Sequence, residues 1–148
     1  MQSDMSRTAF LLYAAAIGGC TAPADPVIAG DPGGVYSYLA DLGDSPVVEG
    51  TMTFQVAADS TVTGTWELHR VPVSDTTLVV GPQTGSGTIA GRRTATGVWL
   101  DLNPGWADNN VFLALIPETT GGLSGTWDYS TLIGPVSGGA VRLLRLER

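Results

Sequence analysis

The chain has 148 residues, a formal net charge of −7, seven arginines, no lysine and one cysteine. This length suits one domain with a single core, and a lone cysteine excludes an internal disulfide bond. Because basic surfaces bind nucleic acids and anionic lipid headgroups, the acidic balance argues against both as partners.

Residues 1–19 have the organisation of a secretory signal peptide. Arg7 precedes an apolar run, AFLLYAAAI, which ends at Ile17 and is followed by small residues. This order is typical of a cleaved signal. The run is shorter than the roughly 20 residues that a membrane-crossing helix needs, so we expect no permanent transmembrane span.

The stretch IGGC, which ends at Cys20, resembles the lipobox of bacterial lipoproteins. In that family the chain is cut before the cysteine, and the cysteine sulfur carries a diacylglycerol. The resemblance implies lipidation of Cys20 and an extracytoplasmic protein anchored to the cell envelope. Thr21, in place of Asp, favours the outer membrane by the sorting rule of Gram-negative lipoproteins. The alternative is an ordinary signal that is cleaved nearby, with Cys20 incidental.

Residues 20–33 are rich in Pro, Ala, Gly and Asp. Such a composition cannot bury enough apolar surface to fold, so we interpret this segment as a lipidated tether. Residues 34–148 are the predicted folded domain.

The folded domain shows the signature of β-strands. Short runs rich in Val, Thr, Trp, Leu and Phe alternate with clusters of Gly, Pro, Asp and Asn, as strands alternate with turns. The pattern predicts eight strands: Val35–Leu42, Val48–Val56, Thr61–Val71, Leu78–Thr84 joined to Gly87–Gly91, Thr94–Leu102, Asn110–Pro117, Leu123–Ser130 and Ala140–Glu147. Because the predicted links are short, we expect antiparallel neighbours in an up-and-down β-barrel. A β-sandwich is the alternative.

The strands alternate between an apolar and a hydroxyl-rich face. Trp66 and Leu68 share one face of their strand, whereas Thr65 and Glu67 share the other, because side chains alternate along a strand. One apolar and one polar face predict a barrel with an apolar interior and a polar outside.

One motif, [Ser/Thr]-Gly-x-Trp, occurs three times, at residues 63–66, 96–99 and 124–127. The first interpretation is structural: an inward glycine lets a small barrel coil, and the tryptophan fills the space. The second makes Trp66, Trp127 and Tyr129 the wall of a ligand pocket. Trp99 shares its face with Asp101, so we expect either a bulge or a position near the rim or outside.

The Gly-x-Trp motif, the eight-strand order and a closing strand with Arg142 and Arg145 resemble the calycin group, which includes the lipocalins. The lipocalin Gly-x-Trp lies in the first strand, where this chain has Gly34 and Tyr36. In lipocalins a late arginine packs over that tryptophan, so the resemblance implies such a role for Arg142 or Arg145.

The inventory of reactive side chains argues against an enzyme. His69 is the single histidine, and a Gly-rich stretch at residues 81–88 lacks the lysine of a phosphate-binding loop. Glu67 and Asp128 follow two of the repeated tryptophans but face outward by alternation. We expect no catalytic residue, no metal site and no cofactor.

The stretch DLNPGWADNN, residues 101–110, contains both oxygen-bearing side chains and an aromatic one. Asp101, Asn103, Asp108 and Asn109 suit Ca²⁺ chemically, but a Pro-Gly turn explains the same residues. We expect Trp106 to be exposed, as a lid over the barrel mouth or an anchor for a partner.

We therefore predict a non-catalytic, lipid-anchored extracytoplasmic barrel that binds a small apolar ligand or a protein partner. The alternative is a structural or protein-interaction lipoprotein whose barrel is filled by its own side chains.

Overall fold

The computed structural model describes residues 30–72 and 74–146. The predicted signal peptide, Cys20 and the first part of the tether lie outside the described residues. The domain is all-β, and its eight strands are β1 (Gly34–Leu42), β2 (Ser45–Val56), β3 (Thr61–Arg70), β4 (Gly85–Arg93), β5 (Val98–Asp101), β6 (Asn110–Pro117), β7 (Leu123–Thr131) and β8 (Gly134–Leu146).

The strands form one closed barrel in which each strand pairs antiparallel with the next in sequence. β1 and β8 close the barrel, with Val35 opposite Leu146 and Ala40 opposite Val141. The closed pairing confirms the prediction of an eight-stranded up-and-down barrel and excludes the alternative, a β-sandwich. Closure removes the free edges that an open sheet presents to solvent.

The barrel has two ends, which we call the base and the apex. The base consists of residues 30–33 and the links 57–60, 94–97 and 118–122. The apex consists of the links 43–44, 71–84, 102–109 and 132–133.

The link between β3 and β4 differs from the prediction. Leu78–Thr84 was predicted as the first half of a kinked strand, but it belongs to an irregular link that runs from residue 71 to residue 84. That prediction was wrong because the apolar run Leu78–Val80 resembles a strand in sequence. Val80 and Gln83 are instead buried against the apical end of the core, so the link covers the apex.

The interior is apolar, as the alternation predicts. In β2, Met52 and Phe54 are buried, whereas Thr53 and Gln55 are exposed. The same alternation continues in β6, where Val111, Leu113 and Leu115 point into the core. Among the described residues, no helix has the length and hydropathy that a membrane crossing requires.

Candidate functional site

Trp66 and Trp127 lie inside the barrel, where the repeated motif placed them. Trp127 is completely buried and Trp66 is 4% exposed. Each indole N–H donates to a backbone carbonyl at the apical end: Trp66 to Leu102 at 2.8 Å and Trp127 to Asp41 at 2.9 Å. A buried indole needs such an acceptor, so both rings have fixed positions within the core.

The motif glycines allow neighbouring strands to approach closely. A Cβ atom on Gly64 would collide with the carbonyl oxygen of Thr53, and one on Gly125 with that of Ala114. Both carbonyls belong to the adjacent strand, β2 for Gly64 and β6 for Gly125. The glycines therefore serve barrel construction, as the structural interpretation of the motif requires.

The third copy of the motif lies across the turn between β4 and β5. The carbonyl of Gly97 accepts a hydrogen bond from the Thr94 N–H at 2.8 Å, within the turn. Trp99 points outward and is 36% exposed. Its ring stacks on that of Phe112, with the ring centroids 5.2 Å apart. This confirms that Trp99 lies outside the core.

A buried amide closes the apical end of the interior. Tyr38 donates from its hydroxyl to Gln83 Oε1 at 2.6 Å, and Gln83 Nε2 donates to the Val80 carbonyl at 2.8 Å. Gln83 is completely buried. Burial raises the pKa of Tyr38 well above its ordinary value, which keeps the hydroxyl protonated and able to donate.

Tyr129 lies at the apex rather than deep in the core. Its side chain is half-buried. Gly81, whose φ is +68°, lies against the ring, and a Cβ atom added to Gly81 would be 2.6 Å from Tyr129 Cδ2. The Tyr129 hydroxyl donates to Asn109 Oδ1 at 2.7 Å. The side chain therefore joins the links 71–84 and 102–109.

Several large apolar side chains are exposed around the apex. Ile133 is 100% exposed, Leu132 79% and Trp106 72%. The half-exposed Val79 and Val136 lie at the same end, where Ser137 Oγ donates to the Val79 carbonyl at 2.6 Å. We call these five residues the apical patch. The 72% exposure of Trp106 confirms the prediction that this side chain is exposed.

The base carries an arginine–tyrosine contact. Arg145 lies over the Tyr36 ring, with Cζ 5.1 Å from the centroid, and its Nη2 donates to the Tyr36 hydroxyl at 2.7 Å. Tyr36 also stacks on Phe54 with centroids 5.2 Å apart. Of the two arginines expected to cover a ring, Arg145 does so, on a tyrosine; Arg142 pairs with Asp41 at 3.3 Å. An open cleft of about 240 Å³ lies beside Tyr36 and Arg145.

The link 102–109 is held by hydrogen bonds within itself and its flanks. Asp101 Oδ1 accepts from the Asn103 N–H at 2.8 Å, and Asn110 Nδ2 donates to the Trp106 carbonyl at 3.1 Å. Burial raises the pKa of Asp101, and the Asn103 hydrogen bond partly opposes that rise. Across the described residues, no three His, Cys, Asp or Glu side chains group as metal ligands.

The remaining titratable candidates lie on the outer wall. His69 Nε2 is 3.4 Å from Glu49 Oε1, and both side chains are substantially exposed. Glu67 and Asp128 are exposed on β3 and β7, which confirms their outward position. Glu67 and His69 line one open cleft on the outer wall, and Asp128 is not among the residues that line it.

The sequence predicted the positions of Trp66, Trp127 and Trp106, but not Leu132 and Ile133. The signal was available: a two-residue link between strands usually holds Asn, Asp or Gly, whereas this one is Leu-Ile.

No protein-family model matches the chain, and a search of curated proteins gives no significant match.

Proposed function

We propose that the protein is a non-catalytic lipoprotein of the bacterial cell envelope. Its barrel is filled by its own side chains, and it acts through contacts made by its outer surface. The observation that carries this proposal is the packing of Trp66 and Trp127, each buried and each hydrogen-bonded to a backbone carbonyl.

Large buried side chains lie in the interior from the base to the apex, which supports the filled barrel. Tyr36 and Phe54 stack near the base. Trp66 and Trp127 are buried above them. At the apex, Gln83 is buried and accepts a hydrogen bond from Tyr38. A ligand would have to displace at least one indole and break its hydrogen bond. Because buried polar groups left without a partner are costly, this packing favours the filled barrel over a ligand-binding one.

A relationship to the calycins is part of the proposal. Arg145 lies over the ring of Tyr36, which comes two residues after Gly34 in the sequence. The Arg145 Nη1 atom would be 3.0 Å from a Cβ atom added to Gly34. This is the arrangement that the lipocalin resemblance implies, with tyrosine in place of tryptophan. It supports shared architecture and carries no ligand with it.

The interior is tested with Trp106→Phe protein, which keeps the other tryptophans and removes the most exposed one. We expect the fluorescence of this variant to stay unchanged when it is titrated with a panel of fatty acids and retinoids. A saturable change in emission at one ligand per chain would contradict the filled barrel and favour small-ligand binding.

Anchoring at the envelope is tested separately by Cys20→Ala. Since each buried CH₂ of an acyl chain contributes roughly 0.8 kcal/mol to membrane binding, we expect a much smaller share of the variant than of the unaltered chain in the membrane fraction of the producing cells. Cys20→Ala protein that stays in that fraction to the same extent as the unaltered chain would refute the lipid anchor.

A further inference from the structure

The link between β7 and β8 has an unusual composition for its place. Leu132 and Ile133 form the whole two-residue link, since Thr131 pairs with Gly134. Such links usually carry Asn, Asp or Gly, because those residues suit the turn and the solvent. Here the two outermost side chains are aliphatic and almost completely exposed. Turn formation does not account for this choice of residues.

The second part of the apical patch is joined directly to this link. Asp108 Oδ1 accepts from the Leu132 N–H at 2.8 Å, and Asp108 lies two residues after Trp106. Trp106 therefore projects from a link that is fixed against the Leu132–Ile133 turn. An exposed indole and two exposed aliphatic side chains on two linked turns are the combination that favours the boundary between lipid headgroups and acyl chains.

Three residues of the apical patch have backbone N–H groups that are already hydrogen-bonded within the protein. The Leu132 N–H has Asp108, the Ile133 N–H has Thr131 Oγ1 at 3.3 Å, and the Trp106 N–H has the Asn103 carbonyl at 3.1 Å. Unpaired backbone groups are costly away from water. These three residues can enter an apolar phase without leaving an N–H group unpaired.

The charges at the apex limit the kind of surface that fits. Asp44, Asp75 and Asp108 lie in three of its four links, and the chain carries a net charge of −7. An anionic surface would be repelled. A zwitterionic surface would not, and shallow insertion would keep the Asp108 carboxylate near water.

The length of the tether allows the apex to reach the membrane that holds the anchor. Asp31 at the base lies eleven positions after Cys20, and an extended chain of that length spans at most roughly 40 Å. The nine residues of β1 run from base to apex, which is roughly 23 Å along the axis for a strand tilted by about 40°. The lipid on Cys20 and the apical patch can therefore share one bilayer.

We propose that the apical patch is a membrane-contacting tip, in which Trp106, Leu132 and Ile133 insert shallowly into a zwitterionic bilayer. This inference rests on the proposed anchoring at the envelope and gives the protein a second membrane contact. The tip holds the barrel with its apex toward the lipid surface.

The test measures partition of full-length Cys20→Ala protein onto phosphatidylcholine vesicles, so that no lipid anchor contributes. Leu132→Asn with Ile133→Asn should lower the partition coefficient about tenfold or more, because two exposed aliphatic side chains no longer leave water. The matched control is Ile116→Asn with Leu144→Asn, two exposed aliphatic residues on the barrel wall, which should change partition less than twofold. Residues 1–19 are the same in all these proteins, so a difference in partition between the tip and wall variants is assigned to the substituted residues.

Emission from Trp106 gives a second readout. We expect a blue shift on vesicle addition and quenching by lipids brominated near the headgroup, both absent in Trp106→Phe protein. Equal partition of the tip and wall variants would overturn the proposal, as would an unshifted Trp106. A dimer that dissociates only in the tip variant, measured without vesicles, would also overturn it and assign the patch to a second copy. A ligand inside the barrel would overturn the filled interior and leave the vesicle result unchanged, so the two failures are distinguishable.

Discussion

Single residues of the repeated motif matter through the backbone that lies beside them. Gly64 and Gly125 occupy points where the carbonyl of an adjacent strand is too close for any side chain. The tryptophan two residues later then fills the interior and donates to a carbonyl at the apex. The motif therefore couples the coiling of the barrel wall to the filling of its core.

Gly125→Ala tests this coupling. The added methyl group must displace β6 at Ala114, so we expect the free energy of unfolding to fall by about 1–3 kcal/mol, as for an overpacked core. The control is Gly105→Ala, because a Cβ on Gly105 would meet open space; it should stay within about 0.5 kcal/mol of the unaltered protein. Urea denaturation measures both, and equal stability of the two variants would contradict the role of Gly125.

At the scale of elements, the irregular link 71–84 between β3 and β4 closes the apex of the barrel. Its hold on the barrel depends on Gln83, which accepts from Tyr38 and donates to Val80, and on Ser137, which donates to Val79. These contacts replace the ladder of hydrogen bonds that a strand would have provided. The link thus acts as a lid made of the chain's own residues.

Gln83→Ala should destabilise the protein by about 2–4 kcal/mol, since it leaves a buried hydroxyl and a buried carbonyl unpaired. The matched control is Gln55→Ala, the same chemical change at an exposed position of β2, with an expected effect of about 0.5 kcal/mol or less. Tyr38→Phe combined with Gln83→Met should recover part of the loss, because both polar partners are then gone. Chemical denaturation that shows no difference between Gln83→Ala and Gln55→Ala would contradict a fastening role for Gln83.

How far the sequence predicts each element depends on whether its pattern is local. The alternation in β2 and β3 is local, because every second side chain enters the same core. The predicted β3 ends one residue too late, and the predicted β2 begins three residues too late but ends at the observed Val56. The link 71–84 was not predicted, since Gln83 is buried by its contact with Tyr38 of β1 and Val80 by packing against the core, and no neighbouring residue reveals either. The bond between Asp108 and Leu132 joins positions 24 residues apart, so only the folded chain shows that the link of Trp106 and the Leu132–Ile133 link are joined.

For the whole molecule, the two ends of the barrel have different chemistry. The base begins with residues 30–33 and is fastened by Arg145 over Tyr36. The apex is closed by Gln83 and carries the exposed patch. The two most exposed aliphatic side chains of the described residues, Leu132 and Ile133, lie at the apex, so we expect the protein to make its contacts at that end.

The most direct test of the solid interior is a methyl NMR titration with a medium-chain fatty acid, since it reports inner and apical side chains separately. Met52 and Leu100 report the core, and Leu132 and Ile133 report the apex. The filled barrel predicts that the core methyl signals keep their chemical shifts throughout the titration, whatever happens at the apical patch. Saturable shifts of the Met52 and Leu100 methyl signals would contradict it, because they would show that a ligand enters the barrel.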